Sequence, residues 1–367
     1  MIFERRLAFH LDWALMGAIL ALSCIGLAMI YSTTYDLSAD RAGGEFWKQM
    51  QAVILGIAVM AACMSIDYRS LTQRSLIIYG AVILMLVAVF FFGIVRGGSR
   101  RWIPLGFFNL QPSEFARVAL AMVLAMYFGE NRRGARTSSD LLVGAAFTLV
   151  PFLLIARQPD LGTAVTLVPV YLGLAYLAGL RMRLLAVAAV IAVLMSPLAW
   201  NYALKPYQKE RIQIFLDPER DPRGAGYQQI QARVTVGSGG LTGKGFGQGT
   251  QGGYGFLPVA HNDFVFSVLA EEHGFLGVLV ALGLYLFVIL RSLDAARLAR
   301  DKVGTYLVVG IVSGFAFQVM YNITMSAGLA PVKGLTLPLM SYGGSSLIAT
   351  FAAFGLILNV RMRRFTN

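Results

Sequence analysis

The residue best placed to do chemistry is Asp263, in the string His261, Asn262, Asp263, Phe264, Val265, Phe266, where a polar segment turns into an apolar run. A carboxylate at such a boundary is partly withdrawn from water, which raises its pKa, and a nearby cation can hold it ionised, as a general base requires. The position equally suits an N-cap for the helix that follows. Arg100, Arg101, Lys244 and Lys333 are cations that can neutralise charge developing on a leaving diphosphate. The string VGSGGLTGKGFGQGTQGGYGFLPVAHNDF adds flexible backbone with further N–H donors. These residues together predict an anionic, lipid-linked substrate.

Two nucleotide motifs fail on inspection. Ser238 to Gly245 lacks the first glycine of a P-loop and the Ser or Thr after Lys244 that binds magnesium. Gly247, Gly249 and Gly252 match a dinucleotide pattern, but no strand precedes them. The remaining charges near apolar runs are few: Glu114, Arg117, Asp160, Glu271 and Glu272, with His273 at a boundary. Each is costly inside a bilayer and so asks for a partner or a task. Glu114 and Arg117 are three apart just after Pro112, which predicts an ion pair on one helix face. Asp160 and Glu271 are expected to be structural or supporting, with Glu271 and Glu272 facing a polar cavity or paired to Arg117 or another cation.

The elements that must position these groups are membrane spans. Hydrophobic residues make up 57% of the 367 positions, and a helix needs roughly 20 apolar residues to cross the hydrocarbon. Ten runs qualify: 13–33, 46–66, 71–94, 112–130, 140–157, 161–179, 183–203, 263–290, 304–327 and 338–360. The expected fold is therefore an all-α integral membrane protein, a single transmembrane domain over 1–367, with one large extracytoplasmic loop over 204–262. The first run is too long for a cleaved signal peptide and is expected to remain as a helix. Cys24 and Cys63 fall inside runs and predict neither a disulfide nor a zinc site.

Basic residues concentrate in the connections holding Arg5, Arg6, Arg69, Arg74, Arg132, Arg133, Arg136, Arg181, Arg183, Arg291, Arg297, Arg300, Lys302, Arg361, Arg363 and Arg364, which places both termini in the cytoplasm. The net charge of +12 is thus mainly a topology signal and not a nucleic-acid footprint. Two other stretches break the helical pattern. Residues 95–117, VRGGSRRWIPLGFFNLQPSEFAR, predict an interfacial or re-entrant segment. Residues 328–346, with Pro331, Pro338, Gly343 and Gly344, should interrupt the helices near the outer face. Small residues around Gly173, Ala175 and Gly179 suit helix packing, inside the protein or against a partner.

Six motifs in order resemble the SEDS proteins (shape, elongation, division and sporulation), and within them the RodA-like branch. They are GSRRWIPLG with QPSE (98–114), RQPDLGTA (157–164), DPRGAGYQQIQA (221–232), GSGGLTGKGFGQGTQ (237–251), HNDFVFSVLAEE (261–272) and GLTLPLMSYGGSS (334–346). The resemblance implies a ten-helix bacterial inner-membrane glycosyltransferase that polymerises lipid II on the periplasmic side during cell elongation. Asp263 would take the proton of the acceptor hydroxyl in an inverting transfer that expels undecaprenyl pyrophosphate. Trp102, Arg101, Arg100, Lys244, Lys333, His261 and Ser341 would contact substrate. A class B penicillin-binding protein would be the membrane partner, with other elongation-complex proteins, and a divalent cation (Mg or Mn) could assist at the diphosphate. The chain departs from the family in having Val259 where a glutamate is usual and Arg117 where a lysine is usual. A flippase for the same lipid, a division-branch (FtsW-like) polymerase and a scaffold with a capping Asp263 are the competing readings.

Overall fold

The computed structural model describes residues 11–35, 42–96, 99–104, 109–130, 138–181, 206–222, 224–253 and 256–365, with scattered positions between 183 and 202. Its long helices are α1 (Trp13–Thr34), α2 (Gly44–Ser65), α4 (Ser75–Phe92), α5 (Pro112–Glu130), α6 (Ser138–Arg157), α7 (Leu161–Leu177), α11 (Val265–Arg297), α12 (Lys302–Ser326) and α13 (Gly344–Met362). Short α3 (Tyr68–Gln73) precedes α4, and the long connection holds α8 (Pro206–Leu216), α9 (Ala225–Ser238) and α10 (Thr250–Gly253). Among the described residues, seven helices are long and apolar enough to cross a membrane. α5 carries Glu114 and Arg117, and α7 is a shorter apolar helix of 17 residues. The expected run 183–203 lies largely outside the described residues.

Most helices are apolar all round, so burial rather than pattern shows which side faces the protein. α4 buries Val82, Leu86 and Val89 and leaves Leu76, Ile77, Leu84, Phe91 and Phe92 exposed. An apolar surface of that extent belongs against lipid. α13 is the central helix, 94% buried over its apolar window. It packs along α2, and α12 packs against α5 and α7. Glycines permit the close approaches: Gly56 of α2 faces Phe351, and Gly355 of α13 faces the backbone of Met60. Gly173 faces Ser313 of α12 and Ala175 is fully buried, so the small-residue face of α7 is used inside the protein. Cys24 and Cys63 are free.

Three features differ from the expected pattern. Residues 94–110 form antiparallel strands β1 (Ile94–Arg96), β2 (Ser99–Pro104) and β3 (Asn109–Leu110) in the order β1-β2-β3. Residues 225–238 of the long connection form α9, so a helix runs through Val236, Gly237 and Ser238 at the start of the glycine string and the loop proper follows 238. The last span starts at Gly344 rather than 338, because Ser341 accepts the Leu337 N–H through its hydroxyl at 2.8 Å and closes a turn.

Candidate functional site

The glycine string folds against a break in α11. Gly274 has φ 63° and ψ −162°, which only glycine adopts readily, and the helix loses its own hydrogen bonds there. The loop backbone replaces them: Lys244 and Gly245 N–H donate to the Glu271 and Glu272 carbonyls at 2.9 and 3.0 Å. Phe275 and Leu276 N–H donate to the Gly240 and Leu241 carbonyls at 2.9 and 3.2 Å. Of the N–H donors in the glycine string, those of 244 and 245 are therefore committed to α11. A Cβ at Gly274 would run into the Gly243 amide and Leu241 backbone. Gly274→Ala should lower stability by about 1–3 kcal/mol, read as a fall in thermal unfolding temperature in detergent; an unchanged temperature would contradict the stitching.

The same loop pairs Lys244, one of the expected substrate contacts, inside the protein. Its ammonium lies 2.6 Å from Glu271 Oε1 and 2.8 Å from Thr250 Oγ. Glu271 is fully buried and also accepts the N–H groups of Thr250, Gln251 and Gly252, which start α10. Glu271 thus pairs with Lys244 and not with Arg117. Arg117 pairs with Glu114 and donates to Gln318, and this pair lines a cavity of about 30 Å³ between α5, α7, α12 and α13. Glu272 accepts from Ser32, leaving its Oε2 buried without a partner.

Asp263 sits where four segments meet. The turn before it is closed by the Val259 carbonyl, which accepts from Asn262 and Asp263 N–H at 3.0 and 3.2 Å, with Val259 itself at φ 53°. The N-cap of α11 is Phe264 with no side-chain cap bond, so Asp263 does not cap this helix. Asn322 of α12 donates to the Asp263 carbonyl at 2.9 Å and to the Leu335 carbonyl at 2.6 Å, joining the aspartate to the 331–335 segment. Gly334 lies against the carboxylate, where an added Cβ would be 3.4 Å from Oδ2. The carboxylate makes no hydrogen bond or ion pair with another described residue. Burial pushes it up to about 6, Asp160 pushes the same way, and Arg101 and Arg211 oppose them.

Arg101 is held by the turn before α7. It donates to the Gln158 carbonyl at 3.2 Å and to the Pro159 carbonyl, and lies 3.6 Å from Asp160. Asp160 caps α7 through Thr163 N–H at 3.2 Å and accepts from Gln111 at 3.2 Å. Lys333 is half-buried and makes no hydrogen bond or ion pair with another described residue; burial and Arg211 both lower its pKa.

Arg100, adjacent to Arg101 on β2, is exposed and donates to the Phe90 carbonyl of α4 at 3.3 Å. Strand alternation puts half-buried Trp102 on the opposite face from Arg101. Ser341 is buried and closes its own turn, while its carbonyl accepts from Gln49 at 3.0 Å. The His261 ring packs edge-on against Tyr342 at 5.5 Å, and burial lowers its pKa. Arg211 of α8 was legible only as one of many loop cations, although it stands one turn from Ile214, the buried residue among the described side chains of that helix. Among the described residues no group of three or more His, Cys, Asp or Glu side chains converges on a point.

The chain is 37% identical over 358 residues to peptidoglycan glycosyltransferase MrdB of Escherichia coli K12, covering 97% of this chain and 94% of that protein. It is 31% identical over 424 residues to peptidoglycan glycosyltransferase RodA of Treponema pallidum, covering 96% and 98%. Among solved structures, a chain from work on structural coordination of polymerization and crosslinking by a peptidoglycan synthase complex superposes with TM-score 0.85 at 34% identity, covering 97% and 99%. The crystal structure of Thermus thermophilus rod shape determining protein RodA superposes with TM-score 0.73 at 31% identity, covering 97% and 98%. The family model FTSW_RODA_SPOVE, described as cell cycle protein, matches residues 12–365, and the chain belongs to that family.

Proposed function

We propose that this chain is a peptidoglycan glycosyltransferase that polymerises lipid II during cell elongation, with Asp263 as general base. The observation that carries the reading is a half-buried carboxylate, free of partners among the described residues, with Arg101 and Arg211 opposing the effect of burial on its charge, and backed by the chain's likeness to MrdB and RodA. Asp263 accepts the proton of the acceptor hydroxyl as its oxygen bonds to the anomeric carbon, and the bond to the lipid diphosphate breaks with its electron pair on phosphate oxygen. Arg101, fixed by the 158–160 turn, keeps positive charge near the base. Glu114, Arg117, Asp160 and Glu271 support this frame through their pairs.

The single transmembrane domain with its 204–262 loop lies in the bacterial inner membrane, both termini cytoplasmic and Asp263 facing the periplasm, as the distribution of basic residues favours. A class B penicillin-binding protein is the membrane partner, within a larger elongation complex; the structural likeness to a synthase complex supports this. Any Mg or Mn would draw its ligands mainly from the diphosphate, since among the described residues no group of three or more His, Cys, Asp or Glu side chains converges on a point, and it would supply charge neutralisation there.

Purified protein in liposomes with lipid II should yield glycan polymer. Movement of labelled lipid II across the bilayer without extension would instead favour a flippase. With the base titrating at about 6, polymerisation should fall as pH drops through that value. Stability should move the opposite way: a folded-state pKa raised above the usual 3.8 means the native chain gains stability from Asp263 as pH falls from about 6 toward 3.8. Acid inactivation accompanied by unfolding would separate the activity loss from this titration.

A further inference from the structure

The Asp263 carbonyl stands outside the hydrogen-bond ladder of α11. In a continuous helix the Ser267 N–H would reach it, but that N–H donates to the Phe264 carbonyl at 2.9 Å, as the Val268 N–H does at 3.2 Å. The Asp263 carbonyl is taken up instead by the side-chain amide of Asn322, on α12, at 2.9 Å. The same amide nitrogen donates to the Leu335 carbonyl at 2.6 Å. Asn322 is fully buried, and its Oδ1 has no hydrogen-bond partner. Turning the amide over would aim Oδ1 at two carbonyls and forfeit both bonds, so the bridge itself fixes the orientation that leaves this oxygen orphaned.

The bridge ties Asp263 to a segment that is held along its length. Gln318, one turn before Asn322, donates to the Thr336 carbonyl at 2.9 Å and accepts from Arg117. Tyr321 donates to the Pro331 carbonyl at 2.9 Å, and Tyr285 of α11 to the Pro338 carbonyl at 2.5 Å. Gly334, within this 331–338 segment, lies against the Asp263 carboxylate. Asp263 itself precedes α11, whose N-cap is Phe264. Its N–H is anchored on the Val259 carbonyl and its own carbonyl on Asn322. Without the second anchor the peptide between Asp263 and Phe264 can turn, and the carboxylate shifts against the 331–338 segment.

We infer that Asn322 is a positioning residue for the transfer: it touches no reacting atom and fixes the place of the Asp263 carboxylate against the 331–338 segment. This rests on the reading of Asp263 as general base. An acceptor hydroxyl must meet the base within hydrogen-bond reach, so a displacement of about 1 Å lowers the rate without changing what is bound.

The test uses the full chain in detergent with lipid II. Asn322→Leu keeps the branched shape and removes both donors. It should slow single-turnover bond formation about 10- to 100-fold with KM for lipid II unchanged, and Asn322→Gln, which keeps the amide on a longer arm, should recover part of the rate. In a cycle with Asp263→Glu, whose carboxylate is already displaced, Asn322→Leu should cost less than it does in the wild type. Equal losses in the two backgrounds, a wild-type rate in Asn322→Leu, or a raised KM with an intact saturating rate would each overturn the positioning role. If the doubly substituted chain is too slow to follow, the comparison of rate with KM decides. A wild-type rate in Asp263→Asn would reject the base, and the positioning role with it; a slow Asp263→Asn with equal losses in the cycle would reject the positioning role alone. Thermal unfolding separates lost rate from lost fold, and if Asn322→Leu does not fold, Asn322→Ser, which keeps one donor, carries the same comparisons.

Discussion

Asp263→Asn abolishes glycan polymerisation while leaving insertion, folding and lipid II binding intact. The amide keeps the shape of the carboxylate and the backbone bonds to Asn322 and Val259, and loses only the capacity to take a proton. General-base assistance contributes about 10²–10⁴-fold, so the rate falls by at least that range. The variant unfolds at the same temperature or higher near neutral pH, because burial disfavours the charged form that it removes. Gel analysis of polymer alongside thermal unfolding checks both halves. A variant that loses activity by unfolding earlier would make Asp263 a structural residue.

The largest stability effect belongs to Glu271. Its side chain is fully enclosed and receives the Lys244 ammonium and the N–H groups that begin α10. Glu271→Ala leaves those donors and the ammonium, itself only 29% exposed, without their acceptor. Removing one member of a buried pair costs about 3–5 kcal/mol. The measurement is the unfolding temperature in detergent, with a cycle through Lys244→Met and the double variant. Recovery in the double variant would show that the stranded charge causes the loss, and an unaffected single variant would refute the role given to this pair. Because the loop also stitches α11 at Gly274, activity should fall with stability here, unlike in Asp263→Asn.

Most of the membrane frame was legible because bilayer thickness imposes a length on every span that no competing preference shortens. The β-sheet at 94–110 was not, since strands of two to six residues lie below the window in which alternation can be recognised. The start of α13 was hidden by a continuous apolar run through Leu339 and Met340, where a turn closed by Ser341 decides the boundary. Asp263 was legible from its place at a polar-to-apolar border. Lys244 is visible in sequence as charge in a glycine loop, whereas its partner, Glu271, stands 27 residues away. Arg211 was obscured for the converse reason: one cation among many, with nothing local to mark its approach to Asp263.

The most direct test of the central claim is single-turnover glycosidic bond formation at saturating lipid II, followed across about pH 5–8, a window chosen to bracket the Asp263 titration. The wild-type rate should rise about tenfold per pH unit below about 6 and level off above it, while Asp263→Asn should be slow and flat throughout. An Asp263→Asn enzyme that keeps the wild-type rate, or the same acid limb, would contradict the assignment of the base.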